Sequence, residues 1–499
     1  MSYLLVDNHP LRTAVAGSFG FLLLYCINKL LLHVTKSLKA LDLPVLQSPG
    51  DQDIVQTLEE GHAKYPNTPF ALGVPGQQLV VLPVSEIDTV KALPENEVSI
   101  KKHHYNQFLG EYSHMGTKAD EFDDAMRYLL VRNTPAVLAS FTAEIDYAIS
   151  SEFKIQHGTE WTRITPRSIM PRVATILSGR AFVGLPLSRD EEWINANVNY
   201  TQDVSRAWVV LRFYPHFIRP FIAPFLKEVR ALERSKALIG GKIGKLLADQ
   251  EQQQDPSQEK IPGGDMITWF KSRYHGKATS KELTRDQLLA TFASIYNLSN
   301  ALTYIVFDLA AYPDVVATLR EELDEVLGPD GVIDKRTLPK MIKLDSFVRE
   351  SQRMSPTSLV NIPRIVTDPN GLKLTTGHVV PPGYLAMVRA QPINQSKELY
   401  PEPEKFDALR FARLRAQPGH ESRWQHTSTG SDNINFGHGL WACPGRFFAS
   451  AEIKVLVAHL IRRYDLRLLE GEERPTPKYA GLAIFPDAKA QIEMRPRVG

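Results

Sequence analysis

The chemistry in this chain centres on one cysteine. Around it the sequence reads Phe436-Gly-His-Gly-Leu-Trp-Ala-Cys443-Pro-Gly-Arg446, followed by FFASAEIKVLVAHLIRRY. The trailing run reads as a helix, with Pro444 suited to its first position and Arg462 and Arg463 to its last turn. That places Cys443 at a helix N-terminus, where unsatisfied N–H groups and the helix dipole lower a thiol pKa and favour the thiolate. Gly437, Gly439 and Gly445 let the backbone turn tightly and approach a flat object closely. A thiolate in such a loop suits axial ligation of haem iron. A lone cysteine is equally at home as a buried, inert side chain, so context must separate the two. The other cysteine, Cys26, lies in an apolar run and reads as a small hydrophobe. Two cysteines so far apart make no disulfide framework, and no CxxC or Cys/His cluster offers a zinc site; a reducing, cytosol-facing environment is expected.

Two further groups carry chemistry. Glu350 and Arg353 are i, i+3 on the helical stretch LDSFVRESQRM and point the same way, with Phe347 and Met354 favouring burial. A buried ionic pair must be satisfied or it costs several kcal/mol, and Arg410 offers the carboxylate a second fork of donors. In isolation the same spacing also describes a solvated surface pair. Thr284 to Tyr312 is a long apolar helix, with Thr284 and Gln287 as a capping box and Pro313 as its stop. At about 1.5 Å per residue it runs about 43 Å. Ala293, Asn297 and Ala301 share one face at i, i+4 and i+8, and small residues there leave room for a cofactor and an oxygen molecule.

Phe436-x-x-Gly439-x-x-x-Cys443-x-Gly445 resembles the haem-binding signature of cytochrome P450 enzymes. Glu350-Ser-Gln-Arg353 resembles the family's ExxR pair, and Phe406-Asp-Ala-Leu-Arg410-Phe411 the marker that supplies a second arginine, in the right order. The resemblance covers roughly residues 50–499, and the runs CPGRFFASAEIK and YPNTPFALGVPGQQLVVLP are further similar to fungal members acting on terpenoids and indole alkaloids. It implies a mainly α fold with a small β portion and haem b held by Cys443, with Phe436, Gly439 and Gly445 beside the cofactor. It also implies a structural network of Glu350, Arg353 and Arg410. The expected activity is oxidation of a bulky lipophilic secondary metabolite (terpenoid, meroterpenoid, indole alkaloid or polyketide-derived) with O2. The chain has no GxGxxG nucleotide fingerprint, so electrons must come from a partner, and the resemblance points to NADPH–cytochrome P450 reductase in the same membrane. Arg413, Arg415 and Arg423 suit either its basic docking surface or a plain solvated face.

The sequence also departs from the family. Where an acid or other polar group and then threonine usually deliver protons to oxygen, this chain has Tyr296 and Asn297, followed by Leu298 and Ser299. Asn297 and Ser299 are the candidate catalytic residues, and a carboxamide can hold a water but is no acid. Either Asn297 positions the same water, or the outcome becomes a rearrangement, ring modification or desaturation without net oxygen insertion. A non-catalytic haem or ligand-binding protein is the remaining alternative. Leu440 and Trp441 stand where relatives carry basic residues, one of which pairs with a haem propionate. Arg364, in PRIVTD, sits where the family often has a propionate-binding arginine; Arg132 and His438 are further candidates. Ala293, Asn297, Leu359 and Ile484 are expected to line the substrate pocket. Asn297-Leu-Ser299 also matches the glycosylation pattern, but on a helix expected to be buried.

The elements that must position these residues follow from composition and patterning. With 499 residues, 43% hydrophobic and 23% charged, the chain can bury a large core and is not disordered. A net charge of +2 argues against nucleic-acid wrapping. Ala14 to Val34 carries one formal charge, Lys29, and as a helix of about 31 Å would cross a bilayer. A cleaved signal peptide or an amphipathic surface helix are the alternatives, but no small-x-small cleavage site follows. Asp7 and Arg12 cancel before the span while Lys36 and Lys39 follow it, so a single-pass protein of the endoplasmic reticulum with its bulk in the cytosol is expected. The organisation is then a membrane anchor over 1–36, a proline-containing linker over 37–50 and a haem domain over 51–499. Phe70 to Pro83 reads as a hairpin with a Pro-Gly turn, and the pattern is mostly helical from about Thr134. Strand signals return at Asn361–Pro382 and near Tyr479–Arg495, and Asp249–Asp265 reads as an exposed glutamine-rich loop. Trp208 to Phe225 holds six aromatics and three prolines, suited either to a packed corner or to an apolar loop that touches the bilayer and admits a lipophilic substrate.

Overall fold

Leu79 to Leu82 shows how the β portion is built. Leu79 and Val81 join one apolar cluster with Phe70, Leu72 and Met387, while Val80 and Leu82 join another with Ala71, Ala386 and Val388. Side chains alternate across a strand, so a strand apolar at every position must be covered on both faces. The computed structural model describes residues 41–47, 54–74, 77–117, 120–155, 158, 160–252, 264–328 and 331–497. The anchor read over 1–36, Cys26, the Pro75-Gly76 turn and most of the glutamine-rich loop lie outside the described residues. Among the described residues no single helix is long and apolar enough to cross a membrane.

The strands are β1 (Val45–Gln47), β2 (Phe70–Val74), β3 (Gln77–Leu82), β4 (Val98–Ser99), β5 (Thr162–Ile164), β6 (Val360–Val366), β7 (Leu372–Lys373), β8 (Val379–Val380), β9 (Leu385–Arg389), β10 (Tyr464–Leu468), β11 (Lys478–Ala480), β12 (Ala483–Phe485) and β13 (Ile492–Pro496). One six-stranded sheet has the order β1-β2-β3-β9-β6-β4, β10-β13-β5 forms a second, and β11-β12 and β7-β8 are two-stranded. β2 and β3 pair antiparallel from Phe70↔Val81 to Val74↔Gln77, the expected hairpin. The stretch read as a linker is partly structured: β1 pairs in parallel with β2.

The helical layer is built from α1 (Thr134–Phe153), α2 (Pro166–Val183), α3 (Glu191–Leu211), α4 (Lys227–Gln252), α5 (Ser280–Ala311), α6 (Pro313–Leu327), α7 (Ile342–Met354) and α8 (Arg446–Arg463). α5 is the axis, packed against α2, α3 and α4, and its buried face feeds the largest apolar cluster. It begins earlier than expected. Its capping box is Thr279 and Glu282: Glu282 N donates to Thr279 Oγ1 at 3.2 Å and Thr279 N donates to Glu282 Oε2 at 2.8 Å. Thr284 instead donates its hydroxyl to the Ser280 carbonyl inside the helix, and Gln287 is buried beside Thr291. Pro313 opens α6, as its fixed φ allows. α4 continues to Gln252, beyond the expected loop start, because KLLADQEQ is rich in helix formers. The Trp208–Phe225 segment is no packed corner: after α3 ends at Leu211, Phe213, Phe217, Phe221 and Phe225 are 72%, 68%, 75% and 79% exposed.

The ionic pair read from the sequence is buried and fully connected. Glu350 is completely buried and Arg353 is 2% exposed. Arg353 grips the carboxylate with Nε at 2.8 Å and NH2 at 2.7 Å, and donates NH1 to the carbonyls of Asn394 and Pro403. Arg410 Nε reaches the same carboxylate at 3.1 Å, Asp407 N donates to it at 2.9 Å, and the rest of the Arg410 fork ties down the Pro401, Glu402 and Lys405 carbonyls. The network pins α7 to the irregular 394–410 segment. Arg353→Ala leaves a buried carboxylate with half its donors and is expected to cost about 3–5 kcal/mol of stability. Thermal unfolding with haem content measured in parallel checks this; an unchanged melting temperature would refute it.

Candidate active site

The cysteine loop is shaped by hydrogen bonds to other elements. Cys443 N donates to the Phe436 carbonyl at 2.7 Å, closing the loop, and Leu440 N donates to the Lys91 carbonyl at 2.9 Å. Gly439 has φ +71°, and a Cβ there would collide with the Lys91 carbonyl oxygen, so only glycine fits. α8 begins at Arg446 with Gly445 as its N-cap, so Pro444 precedes the helix rather than opening it. Arg446 replaces proline at the helix start and folds back, donating NH1 to the Cys443 carbonyl at 2.8 Å and Nε to the Thr427 carbonyl at 3.1 Å. Cys443 itself is exposed, within three residues of the helix start, and the Arg446 guanidinium lies near its sulfur's charge. Both features favour a thiolate. A Cβ on Gly445 would meet open space.

The missing basic residues of the loop are answered from another element. Trp441 donates its indole N–H to the Leu93 carbonyl at 3.0 Å. Arg127, which the sequence reading passed over, donates to the Leu440 carbonyl at 3.3 Å and lies 5.5 Å over the Trp441 ring. Arg127 stands in a π-helical turn, Ala125–Leu129, an insertion that turns the helix face locally. The spacing Arg127…Arg132 was the available signal; Arg132 is exposed at the end of the same segment. His438 sits against Thr429 at 3.2 Å, with its pKa lowered by burial and by Lys91. Of the arginines read as a docking surface, Arg415 is turned inward onto buried Asp345 at 3.5 Å, so it leaves the surface. Arg413 and Arg423 are paired with Asp407 and Asp432.

Helix α5 presents Ala293 and Asn297 as exposed residues and Ala301 as half-buried, in a helix otherwise largely buried. This is the expected stripe. Ser299 does not belong to it. Two residues on, it lies about 200° round the helix; it is 2% exposed and donates its hydroxyl to the Tyr296 carbonyl at 3.1 Å. That placement gives Ser299 a packing role in place of the catalytic one expected. Leu359 and Ile484 come together, through Leu359 N to the Leu482 carbonyl and Ile484 N to the Thr357 carbonyl, but both are packed into the cluster beneath the main sheet. The accessible neighbour is Phe485, whose ring meets Tyr296 edge-on at 6.1 Å. Strand alternation around Ile484 was the signal for it.

Arg364 supplies the test of fit to a haem. It is 1% exposed, its NH1 donates to the Pro363 carbonyl at 2.8 Å, and its Nε has no partner. Burial pushes its pKa down to about 10. A buried guanidinium with an open donor demands an anion, and a haem propionate supplies one. Thiol, anion receptor and a small-residue helix face together fit a flat dianionic cofactor.

A cysteine loop suited to a thiolate, a buried ExxR network and a long central helix packed against α7 and α8 define a haem-thiolate oxygenase. The Cytochrome P450 family profile matches residues 148–494, and the chain belongs to that family. It is 78% identical over 495 residues to the cytochrome P450 monooxygenase gliF of Aspergillus fumigatus, covering 98% of each chain. It is 52% identical over 479 residues to the monooxygenase ataF of Aspergillus terreus, covering 95% of this chain and 96% of the relative. The fold matches that of retinoic acid-bound cyanobacterial CYP120A1 at a TM-score of 0.68 and 18% identity, over 92% of this chain and 100% of that one. The chain is a cytochrome P450 monooxygenase of the fungal secondary-metabolism type, using haem b with a cysteine thiolate on iron. Within the matched span, Cys443 is the only cysteine. Cys443→Ser is therefore expected to abolish the Soret band of the reduced thiolate–CO complex; a mutant retaining that band would overturn the ligand assignment.

Proposed function

We propose that this monooxygenase oxidises a bulky lipophilic secondary metabolite of terpenoid, meroterpenoid, indole-alkaloid or polyketide-derived type. It draws electrons from NADPH–cytochrome P450 reductase and is anchored in the endoplasmic reticulum with its catalytic domain in the cytosol. The observation that carries the lipophilic reading is an aromatic wall. Phe108 meets Phe292 edge-on at 4.9 Å, Phe292 stacks on Tyr296 at 5.8 Å, and Phe485 closes the row. Such walls bind apolar surface by area and orient it through ring edges. When bound, the haem supplies reductive activation of dioxygen, chemistry that no side chain here can perform. The chain's own part is to hold and orient. Cys443 gives its thiolate to the cofactor, Arg364 neutralises a propionate, and Asn297 holds a water by donating and accepting hydrogen bonds.

Because Tyr296 and Asn297 replace the usual acid and threonine, a rearrangement or desaturation is the second reading. Comparison of metabolites between intact and deleted strains identifies the substrate, and product mass under labelled dioxygen separates the two readings. One labelled oxygen atom in the product supports hydroxylation; none supports rearrangement. Asn297→Ala is expected to uncouple the enzyme, with peroxide rising and product falling by about 10²-fold, in the range of lost proton-transfer groups. Unchanged coupling and product would leave Asn297 as packing.

The membrane reading rests on the apolar N-terminal run and on the exposed Phe213, Phe217, Phe221 and Phe225, since large exposed aromatic patches mark membrane or partner contact. Deleting residues 1–36 is expected to weaken liposome binding only in part. Complete loss on truncation would remove the second contact.

A further inference from the structure

α5 carries a second polar stripe, one residue behind the first. Tyr296, Asn300, Tyr304 and Asp308 recur every four residues, so each lies one turn beyond the last, about 6 Å apart. At its far end the stripe is saturated. Asp308 is fully buried, takes the Arg474 Nε–H and accepts from Ser351 Oγ at 2.5 Å, while Arg474 NH2 donates to Ser355 Oγ at 2.8 Å. In the middle it is not. Asn300 and Tyr304 are each 1% exposed, and neither amide atom of Asn300 nor the Tyr304 hydroxyl has a protein partner. Three orphaned polar atoms on successive turns of one helix face would each cost about 1–3 kcal/mol if left dry. A carboxamide and a phenol can each both donate and accept, which is what water requires of its neighbours.

The surroundings give the stripe two ends. At the outer end the Arg474 guanidinium lies 5.9 Å over the Tyr304 ring, and the Tyr304 pKa is raised chiefly by burial, with a smaller push from nearby Tyr479, 50% exposed on β11. At the inner end is half-buried Tyr296, in the aromatic wall and adjacent to exposed Asn297. Arg167, in the first turn of α2, feels both Tyr296 and Tyr304. Its guanidinium can orient water oxygens and, always protonated, cannot trap a proton.

We propose that Asn300 and the Tyr304 hydroxyl hold a file of internal waters along α5, running from the Tyr479 surface to Tyr296, and that this file carries protons to the pocket opposite Cys443. From Tyr304 to Tyr296 the helix rises about 12 Å, the span of about four hydrogen-bonded waters. One proton enters from solvent as one leaves the inner end, each water passing on one of its own, so nothing along the file is oxidised, reduced or left charged. Two such transfers accompany the two electrons that the reductase supplies when dioxygen gives one water and one inserted oxygen. Asn300 is a positioning residue, acting through the water it holds. The inference rests on the monooxygenase activity and not on the substrate class, so a wrong substrate leaves it standing.

The test uses the full-length holoenzyme with reductase, NADPH and dioxygen, without added substrate, and reads three quantities: peroxide formed per NADPH, the solvent deuterium isotope effect on NADPH oxidation, and ordered waters in a high-resolution crystal structure. The wild type is expected to show waters within hydrogen-bond reach of Asn300 and Tyr304. Asn300→Leu is expected to remove them, raise the peroxide share at least threefold and change the isotope effect, while Asn300→Ser restores values near wild type. Tyr304→Phe, which keeps the ring, is expected to raise peroxide about twofold, and it decides the matter if the leucine variant loses its thiolate–CO band. A dry stripe in the wild type, or unchanged peroxide share and isotope effect in variants that keep the band, would overturn the proposal.

Discussion

A fully buried carboxylate sits at the mechanical centre of this protein. Glu350 accepts from two guanidiniums and a backbone N–H, and those guanidiniums hold five carbonyls of an otherwise irregular segment. Each charge is tolerable in the interior only because the others are present. The arrangement ties down a stretch with little regular structure, and that stretch reaches the approach to the cysteine loop through the Asn394–Asn435 amide pair and the Tyr400 hydroxyl, which donates to the Asp432 carbonyl at 2.9 Å. Such rigidity matters for a thiolate ligand, because the position of a sulfur on a glycine-rich loop is only as well defined as the backbone that carries it.

The loop itself shows a second economy of the same kind. Trp441 carries no charge and its one donor is taken by the Leu93 carbonyl, and the nearby cations come from elsewhere in the chain: Arg127 from a π-helical turn and Arg364 from β6. The two cations thus come from separate elements, neither of them the cysteine loop. Helix α5 is itself divided into an exposed small-residue stripe and a largely buried polar stripe whose tyrosines lie near Arg167 of α2.

How much of this was legible depended on the range of the interaction. The Cys443 loop, Glu350 with Arg353, and the Ala293–Asn297–Ala301 face are local spacings, and sequence order alone carries them. The β2–β3 hairpin was equally local. What failed were choices between two similar local signals. Thr279-x-x-Glu282 and Thr284-x-x-Gln287 are both capping boxes on paper, and the packing of Gln287 against Thr291 decided between them. Arg415 looked like its neighbours Arg413 and Arg423 until Asp345, seventy positions earlier in sequence order, drew it inward. Ser299 has a suitable hydroxyl but lies about 200° round the helix from Asn297. The significance of Arg127 and Asn300 lies in what faces them, which periodicity does not record.

The short strand β1 sets how far the catalytic domain could stand from a bilayer under the proposed anchoring. With the proposed anchor ending at residue 36, nine residues lead to Val45, where the chain is already hydrogen-bonded into the edge of the main sheet. At about 3.3–3.6 Å per residue, that leash is at most about 30 Å long. Such an anchor would confine the domain to a thin slab above the lipid surface. A reductase in the same membrane, as proposed above, would meet it at the effective concentration of that slab instead of the bulk volume, which favours fast encounter without a high intrinsic affinity.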